Sequence, residues 1–272
     1  MMWLATLPLA VKAAILGIVE GITEFLPVSS TGHLIVAGQW LGWTGEVAQT
    51  FEIFIQLGAI LAIVWIYRER LLRECRGVTT EPASRRFAGS LLLAFLPAAI
   101  VGLALHHWIK AHLFDRPLVV AWAMLVGGVL ILLIERLHPK VTVTDAMAVP
   151  PREAIGVGLA QVLSLVPGTS RSAATILGGY ALGMTRIAAT EFSFFLAIPV
   201  MFAATLFDLY TSRNALGGLD LLPFAVGFIT AFFAALIVVR VFLRYVSRHS
   251  FEAFAWYRIA FGLFLLWLYR SA

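Results

Sequence analysis

Long apolar segments separated by short polar segments follow one another along almost the whole chain. Six of the apolar segments are long enough to cross about 30 Å of hydrocarbon as α-helices. Their polar boundaries place the predicted membrane-spanning helices at about residues 51–67, 87–108, 117–135, 192–210, 221–243 and 251–269.

Two further apolar segments, about residues 10–42 and 153–182, are each interrupted near the middle by a polar run. The interruptions are Pro27 to Gly32 in the first segment and Pro167 to Ser172 in the second. A helix broken at membrane depth is tolerated only where its backbone is buried in protein or lines a watery cavity. The pattern therefore predicts two re-entrant helical hairpins with polar tips.

The two halves of the chain repeat one another without gaps at a constant offset. Each half, about 1–141 and 142–272, contains one broken hairpin and three spans, so each crosses the membrane an odd number of times. The second half must then be inserted upside down. We predict an all-α polytopic membrane protein, one membrane domain built from two inverted-topology repeats. The matching pairs include Gly17 with Gly158, Glu20 with Gln161, Ser29 with Ser170, Gly38 with Gly179 and Phe51 with Phe192.

Composition supports the membrane class. Hydrophobic residues make up 61% of the chain and charged residues 13%, and the mean hydropathy is +0.92. Soluble domains contain about 45–50% apolar and about 25% charged residues. The single cysteine, Cys75, excludes an intramolecular disulfide framework. No cleavable signal segment stands out at the start of the chain, which leads directly into the first polar tip.

The basic residues cluster in loops that the inverted scheme places on one side of the membrane. Basic loops mark the cytoplasmic side, so both termini are expected to face outward. The net charge of +5 therefore reports orientation, and nucleic-acid binding is not expected. The clusters are Arg68, Arg70, Arg73, Arg76, Arg85 and Arg86; Arg136, Lys140 and Arg152; and Arg240, Arg244 and Arg248.

Glu20 and Glu24 are four residues apart and so share one face of the helix that leads into the first tip. Two carboxylates one turn apart repel each other strongly in a low dielectric. One reading is a solvated helix end at the membrane interface. The alternatives are a site for Mg²⁺ or Ca²⁺, or one metal-binding carboxylate beside one general base, because hard oxygen ligands favour these ions.

Ser29, Ser30, Thr31 and His33 follow the proline of the first tip. The hydroxyl groups can satisfy backbone groups that the helix break leaves free, and this is the simplest role for Thr31. An imidazole close to two glutamates can hold a proton or a phosphoryl group, which would place His33 at the reaction centre. His33 and Ser30 both remain eligible as the nucleophile.

The second tip contains one arginine, Arg171, in a run of glycine and hydroxyl residues that leads into a helix. A guanidinium and the N–H groups of a helix N-terminus together resemble an anion cradle. A salt bridge from Arg171 to the glutamates of the other half is the alternative, and the two are compatible. The predicted substrate-binding residues of the two tips are Ser29, Thr31, Gly168, Thr169, Ser170, Ser172 and Thr175.

Three other polar residues, Glu52, Gln56 and Glu191, are weaker candidates. Glu52, Gln56 and Glu191 lie near predicted span starts, whereas Glu135 and Asp208 lie near span ends, where we expect them to be interfacial. Three histidines fall in a predicted polar loop and are also expected at the interface: His106, His107 and His112.

Two motifs of the chain resemble those of the undecaprenyl-diphosphate phosphatase family, also called bacitracin-resistance proteins. The first is Glu20-x-x-x-Glu24 followed by Pro-Val-Ser-Ser-Thr-Gly-His33, and the second is Pro167-Gly-Thr-Ser-Arg171-Ser-Ala-Ala-Thr175. The likeness covers nearly the whole chain, including the segment from Glu191 to Pro199. Both motifs match the family pattern without a visible departure.

The resemblance implies an enzyme of the bacterial inner membrane that removes one phosphate from undecaprenyl diphosphate. Such an enzyme regenerates the lipid carrier for cell-wall synthesis at an active site reached from the periplasmic side. The resemblance also implies a divalent metal, which we assign to Glu20 and Glu24. The implied functional residues are Glu20, Glu24, His33 and Arg171, with Ser29, Ser30, Ser170 and Thr175 in the polar lining.

Two other classes of function compete with a phosphatase. Paired broken helices in inverted repeats are also a transporter architecture, so the same residues could carry a phosphorylated lipid across the membrane. A non-catalytic lipid-binding scaffold is the third class, although ionisable groups at membrane depth are usually functional. The expected partners are a polyprenyl diphosphate and membrane lipids, and the sequence leaves a homodimer open.

Overall fold

The computed structural model describes residues 2–113, 116–137, 139–211 and 221–270. These ranges are α-helical apart from connecting segments, one 3-10 turn at Leu163–Leu165 and an isolated bridge between Val143 and Met184. The helices are α1 (Met2–Ala5), α2 (Leu9–Thr23), α3 (Ser30–Leu41), α4 (Glu46–Ile66), α5 (Arg68–Gly77), α6 (Pro82–His112), α7 (Pro117–Leu137), α8 (Pro151–Val162), α9 (Arg171–Ala181), α10 (Arg186–Thr211), α11 (Leu221–Val246) and α12 (Glu252–Leu268).

Five helices of the described ranges are long and apolar enough to cross a membrane, which confirms a multi-pass membrane protein. They correspond to five of the six predicted spans. The sixth predicted span coincides with α12, which has 17 residues. The five candidate spans are Val47–Ile66, Pro82–Ile109, Pro117–Leu137, Arg186–Phe207 and Leu221–Val246.

The outer surface of the helices is apolar, as contact with lipid requires. On α11, Ile229, Phe233, Ile237 and Val241 recur at every fourth position and are 52% to 65% exposed. Residues four apart lie on the same face of a helix, so α11 presents a continuous apolar stripe to its surroundings. A stripe of this kind is a liability in water and is the expected surface in a bilayer.

The two interrupted segments are confirmed as pairs of short helices. The first consists of α2 and α3 and the second of α8 and α9, with 11 to 15 residues in each helix. At a rise of 1.5 Å per residue these helices are about 17 to 23 Å long, shorter than the hydrocarbon core. Within each pair the two helices contact each other.

Both breaks end in the same unusual backbone conformation. Ser29 has φ of 68° and Ser170 has φ of 72°, and they are the only non-glycine residues of the described ranges with positive φ. A side chain strains the backbone in this region, so such residues tend to occur at functional sites. The same positive-φ serine therefore occurs twice, at equivalent positions of the two halves.

The first helix of each broken pair packs closely against a long helix of the other half. A Cβ atom added to Gly17 of α2 would lie 2.3 Å from the carbonyl oxygen of Gly227 in α11. One added to Gly158 of α8 would lie 2.6 Å from the carbonyl oxygen of Ala94 in α6. Small residues allow helix backbones to approach in this way. These contacts fix the two tips within the protein.

The structure corrects two of the expected boundaries. The three histidines placed in a loop lie on the last turns of α6, because this helix continues to His112. Its 31 residues would span about 46 Å, which exceeds the hydrocarbon thickness and reaches the headgroup region. Part of the basic segment that follows the first span is likewise helical, as α5. The side chain of Asp208 lies outside the described residues.

Candidate active site

The polar tips of the two broken pairs meet inside the protein. Arg171, the first residue of α9, donates a hydrogen bond from Nη2 to Oε1 of Glu24 at 3.0 Å. Ser172 donates a hydrogen bond of 2.7 Å to the carbonyl oxygen of Leu26. The side chains of Arg171 and Glu24 are 11% and 10% exposed. The acidic and cationic parts of the predicted site therefore form one cluster.

Glu24 joins the two halves of this cluster, because each of its carboxylate oxygens accepts a different hydrogen bond. Oε1 accepts from Arg171, and Oε2 accepts from the hydroxyl group of Ser30 at 2.6 Å. Hydrogen bonds that involve a charged group are short and strong. The arrangement fixes the Ser30 hydroxyl beside a base and directs its proton toward that base.

The guanidinium group of Arg171 is oriented by several neighbours. Nη1 donates to the carbonyl oxygen of Ser193 at 3.1 Å, and the group lies 5.9 Å from the ring centre of Phe25. The Ser193 hydroxyl also lies 2.6 Å from that of Thr175. The Nε–H group of Arg171 is buried and has no hydrogen-bond partner. One donor of the fork is therefore available to a ligand.

Glu20 is fully buried one helical turn before Glu24, and no N–H or O–H group donates to either of its oxygens. The charged groups close enough to act on it are Glu24, Glu52 and Arg171. An unpartnered carboxylate in this position is costly unless a proton or a cation compensates it.

This donor set fits the divalent cation that the sequence predicts. Two carboxylates and a hydroxyl are hard oxygen donors, and Mg²⁺ is commonly held by one or two carboxylates, waters and substrate phosphates. Both oxygens of Glu20 are available, whereas those of Glu24 already accept one hydrogen bond each. In the described residues no three His, Cys, Asp or Glu side chains form a metal cluster.

The hydroxyl groups of the second tip are bonded to the protein itself. Ser170 accepts from the backbone N–H of Ala173 at 3.1 Å and so caps α9, and its Oγ lies 2.9 Å from that of Ser172. Thr175 donates to the carbonyl oxygen of Arg171 at 2.9 Å. These three predicted substrate-binding residues therefore shape the tip around Arg171. The backbone carbonyl groups of Gly168 and Thr169 accept hydrogen bonds from Arg258.

His33 lies one turn after Ser30, and neither of its ring nitrogens contacts the carboxylates. Nδ1 is 2.7 Å from the carbonyl oxygen of Ser29, and Nε2 is hydrogen-bonded to the Tyr257 hydroxyl. The imidazole also stacks on Phe261, with 4.5 Å between the ring centres. Because a carbonyl oxygen can only accept, Nδ1 carries a proton, and in the neutral imidazole Nε2 then accepts from the Tyr257 hydroxyl. The structure thus holds His33 against α12.

The other hydroxyl residues of the first tip differ in exposure. The Ser29 side chain is buried, and its Oγ atom has no hydrogen-bond partner. Thr31 is exposed on the surface of α3. Of the predicted residues in this tip, Ser30 is the one whose side chain contacts the Glu24–Arg171 pair.

Glu191, a weaker candidate of the sequence analysis, and Glu135, which was expected at the membrane interface, each form an ion pair with an arginine. Glu135 is 3% exposed, pairs with Arg186 and accepts the backbone N–H of Phe251 at 2.7 Å. Glu135 thus lies in the last turn of α7 with its carboxylate buried inside the protein. Glu191 accepts from the Tyr67 hydroxyl at 2.9 Å and pairs with Arg70.

Sequence reasoning missed three residues that shape the site: Ser193, Tyr257 and Arg258. Ser193 was hidden in an apolar segment, and nothing in its spacing connects it with Arg171. Arg258 carried a usable signal, because an arginine near the middle of an apolar span is rare and usually functional. Tyr257 is adjacent to it and is indistinguishable from the aromatic residues that face lipid.

The family of the chain follows from its match to known sequences. The model of the bacitracin resistance protein BacA family matches residues 13–264. The chain belongs to this family. The matched region includes both tips, α4 to α11 and the part of α12 that carries Tyr257 and Arg258.

Several curated relatives in this family are similar over nearly their full length. One from Aromatoleum aromaticum is 56% identical over 96% of this chain and 94% of the relative. One from Dechloromonas aromatica is 54% identical over 95% and 94%, and one from Nitrosomonas eutropha is 55% identical over 94% and 93%. All three are named undecaprenyl-diphosphatase.

Proposed function

We propose that this BacA-family chain is an undecaprenyl-diphosphatase, an integral membrane hydrolase that converts undecaprenyl diphosphate to undecaprenyl phosphate and inorganic phosphate. The observation that carries the proposal is the Glu24 carboxylate, which links the Ser30 hydroxyl to the Arg171 guanidinium. Phosphoryl transfer needs a positioned nucleophile and cations around the phosphoryl oxygens, and little else. Relatives of the same name at 54% to 56% identity support the same activity.

Of the two nucleophiles that the sequence left open, the geometry favours Ser30. Its hydroxyl donates to Glu24 at 2.6 Å, whereas both ring nitrogens of His33 are bonded elsewhere. Glu24 takes the hydroxyl proton as Ser30 Oγ attacks the terminal phosphorus. The bond between that phosphorus and the bridging oxygen breaks, and undecaprenyl phosphate leaves. The result is a phosphoserine at Ser30 and a protonated Glu24.

The second half of the reaction returns the site to its initial state. Water attacks the phosphorus of the phosphoserine, and Glu24 returns its proton to Ser30 Oγ as the serine leaves. The protons of the water remain on inorganic phosphate, so atoms and charges balance. Arg171 holds phosphoryl oxygens in both steps through its fork of N–H donors. Protonation of Glu24 weakens its pairing with Arg171 at the moment when the phosphoryl group needs the guanidinium.

The divalent cation remains a proposal. Glu20 and Glu24 would hold Mg²⁺ or Ca²⁺, and the bound ion would neutralise charge on the phosphoryl oxygens. The two unpartnered oxygens of Glu20 support this assignment. Removal of the ion would leave the Glu20 carboxylate uncompensated one turn from Glu24, which keeps Arg171 and Ser30 as partners.

The inverted-repeat topology and a site open to the periplasm are part of the same proposal. The equal backbone conformations of Ser29 and Ser170 support the repeat, and the basic loops support the orientation. The polyprenyl tail would then lie against the apolar helix faces.

Reporters fused at Arg76 and Pro150 should both read cytoplasmic, and one at Arg116 external. Arg76 and Pro150 on opposite sides would exclude the inverted scheme.

The decisive experiment measures phosphate release from undecaprenyl diphosphate by the purified chain in detergent. Detergent removes the membrane barrier, so release of phosphate cannot arise from transport. Chelator should abolish turnover, and added Mg²⁺ or Ca²⁺ should restore it. Tight binding of the lipid without phosphate release would instead favour a carrier of phosphorylated lipid, the competing class.

A further inference from the structure

Arg258 is a fully buried arginine near the middle of α12, and all of its hydrogen bonds go to backbone carbonyl groups. A guanidinium group has five N–H donors. The structure supplies five acceptors, at distances from 3.0 to 3.4 Å. They are the carbonyl oxygens of Pro27, Ala123, Met124, Gly168 and Thr169.

No carboxylate of the described residues forms an ion pair with Arg258. A buried and unpaired charge in a membrane protein is expensive. Here the carbonyl dipoles of three chain segments compensate it. Their convergence on one side chain is therefore the feature that needs a functional explanation.

The acceptors belong to the two tips and to α7, which lies beside them. Pro27 precedes Ser30 by three residues, and Gly168 precedes Arg171 by three residues. Pro27 and Gly168 also correspond to each other in the internal repeat, so the guanidinium binds equivalent carbonyl groups in the two broken pairs. A single side chain thus connects the nucleophile's tip with the tip that holds the phosphoryl group.

We infer that Arg258 is a positioning residue for the phosphatase reaction and sets the distance between Ser30 and Arg171. The inference rests on the proposed roles of those two residues. Arg258 does not contact them directly and acts through the backbone of each tip. Lysine would keep the positive charge, but its three donors cannot satisfy five carbonyl groups that lie in different directions.

The neighbouring helix leaves room for this group. A Cβ atom added to Gly127 of α7 would lie 2.2 Å from Nη2 and 2.8 Å from Cζ of Arg258. One added to the adjacent Gly128 would instead meet Ile259 Cγ1 at 2.7 Å and the carbonyl oxygen of Ala255 at 2.8 Å. The two glycines lie on the same helix and face the same partner helix. They therefore provide a matched pair of variants.

The first test is the Arg258→Lys variant, assayed with undecaprenyl diphosphate and the divalent cation in detergent. We expect kcat to fall by roughly 10²-fold, the scale for displaced reacting groups, and KM to change less. In the Arg171→Ala background the same substitution should cost far less, because the position of the second tip no longer matters. A loss that simply multiplies with that of Arg171→Ala would overturn the inference.

The second test compares Gly127→Ala with Gly128→Ala and does not depend on Arg258→Lys folding. Gly128→Ala forces a side chain against the α12 backbone, so it should lower the unfolding temperature at least as much as Gly127→Ala does. Gly127→Ala should nevertheless lower kcat more, because it displaces the guanidinium. If kcat follows the unfolding temperature in both variants, Arg258 is merely structural and the inference is wrong. A wild-type chain that releases no phosphate would instead refute the proposed function.

Discussion

Ser30 and Arg171 occupy equivalent positions in the two broken pairs, and each begins the second helix of its pair. Both follow a serine with positive φ. The backbone thus presents one side chain in the same way at each tip, a hydroxyl in one case and a guanidinium in the other. The two tips are the same structural element carrying two different chemical groups.

The difference extends along the helices that lead into the tips. Glu20 of α2 corresponds to Gln161 of α8, and Glu24 corresponds to Leu165. Glu20 and Gln161 are both buried without hydrogen-bond partners for their side-chain polar atoms. Only the first can carry negative charge, so the proposed cation binding and proton transfer are assigned to the first tip. The second tip contributes a positive charge and a rigid, capped helix start.

The largest effect should come from Ser30→Ala, because this change removes the proposed nucleophile. We expect kcat to fall by roughly 10⁴-fold or more with little change in the unfolding temperature. Turnover on substrate labelled in its terminal phosphate is quenched with denaturant at neutral pH, because phosphohistidine does not survive acid. A phosphoprotein should then be trapped in the wild type and in His33→Ala. Trapping in Ser30→Ala and loss in His33→Ala would assign the nucleophile to His33.

Arg171→Lys tests whether the second tip supplies shape as well as charge. Lysine keeps the charge but loses the planar fork of donors, so kcat/KM should fall by roughly 10²-fold, nearly as far as in Arg171→Ala. The values of kcat/KM for Arg171→Lys and Arg171→Ala are compared under conditions where both variants are equally stable. A lysine variant close to the wild type would mean that a point charge is sufficient at this position.

Glu20→Gln tests whether Glu20 is a ligand of the proposed cation. In the wild type, Mg²⁺ or Ca²⁺ should raise the unfolding temperature. The free energy of unfolding should rise by about 2.7 kcal/mol at a hundredfold excess of the cation over its dissociation constant. The variant should lose most of this response, and without added cation it should be more stable than the wild type, because a buried repulsion is gone. An unchanged response to cation would remove Glu20 from the metal site.

The smallest effect should come from Ser170→Ala in the second tip. Loss of the N-cap of α9 should cost about 1 kcal/mol of stability, measured by thermal unfolding in detergent, while kcat changes little. Ser170→Gly is the control, since glycine accepts positive φ and costs only a few tenths of a kcal/mol as an N-cap. A loss of activity without a loss of stability would restore a substrate-binding role for Ser170.

Much of the fold was predictable because its signals are local in the sequence. The spans follow from apolar runs, and the broken pairs from Pro27 and Pro167 within them. The pairing of Glu20 with Glu24 follows from helical periodicity. The exact ends of α6 were not predictable, because a helix continues into the headgroup region without an apolar signal.

The contacts between the tips were only partly predictable. Opposite charges suggested that Arg171 meets the glutamates, and Glu24 is indeed its partner. The direction of His33 depends on Tyr257, which is 224 residues away in the chain. Arg258 binds carbonyl groups, which every residue possesses, so no pattern of side chains indicates its acceptors. Such long-range backbone contacts become visible only in the folded structure.

The ion pair between Glu24 and Arg171 has a consequence for the end of the catalytic cycle. In the proposed cycle, Glu24 regains its negative charge once the phosphoserine is hydrolysed, while inorganic phosphate still binds the guanidinium of Arg171. The carboxylate and the product then compete for the same donors, and the carboxylate is tethered 3.0 Å away in the resting site. The Glu24 carboxylate can therefore displace inorganic phosphate from Arg171. Product inhibition should be weak for this reason, and the inactive Glu24→Gln chain should bind free phosphate more tightly than the wild type does.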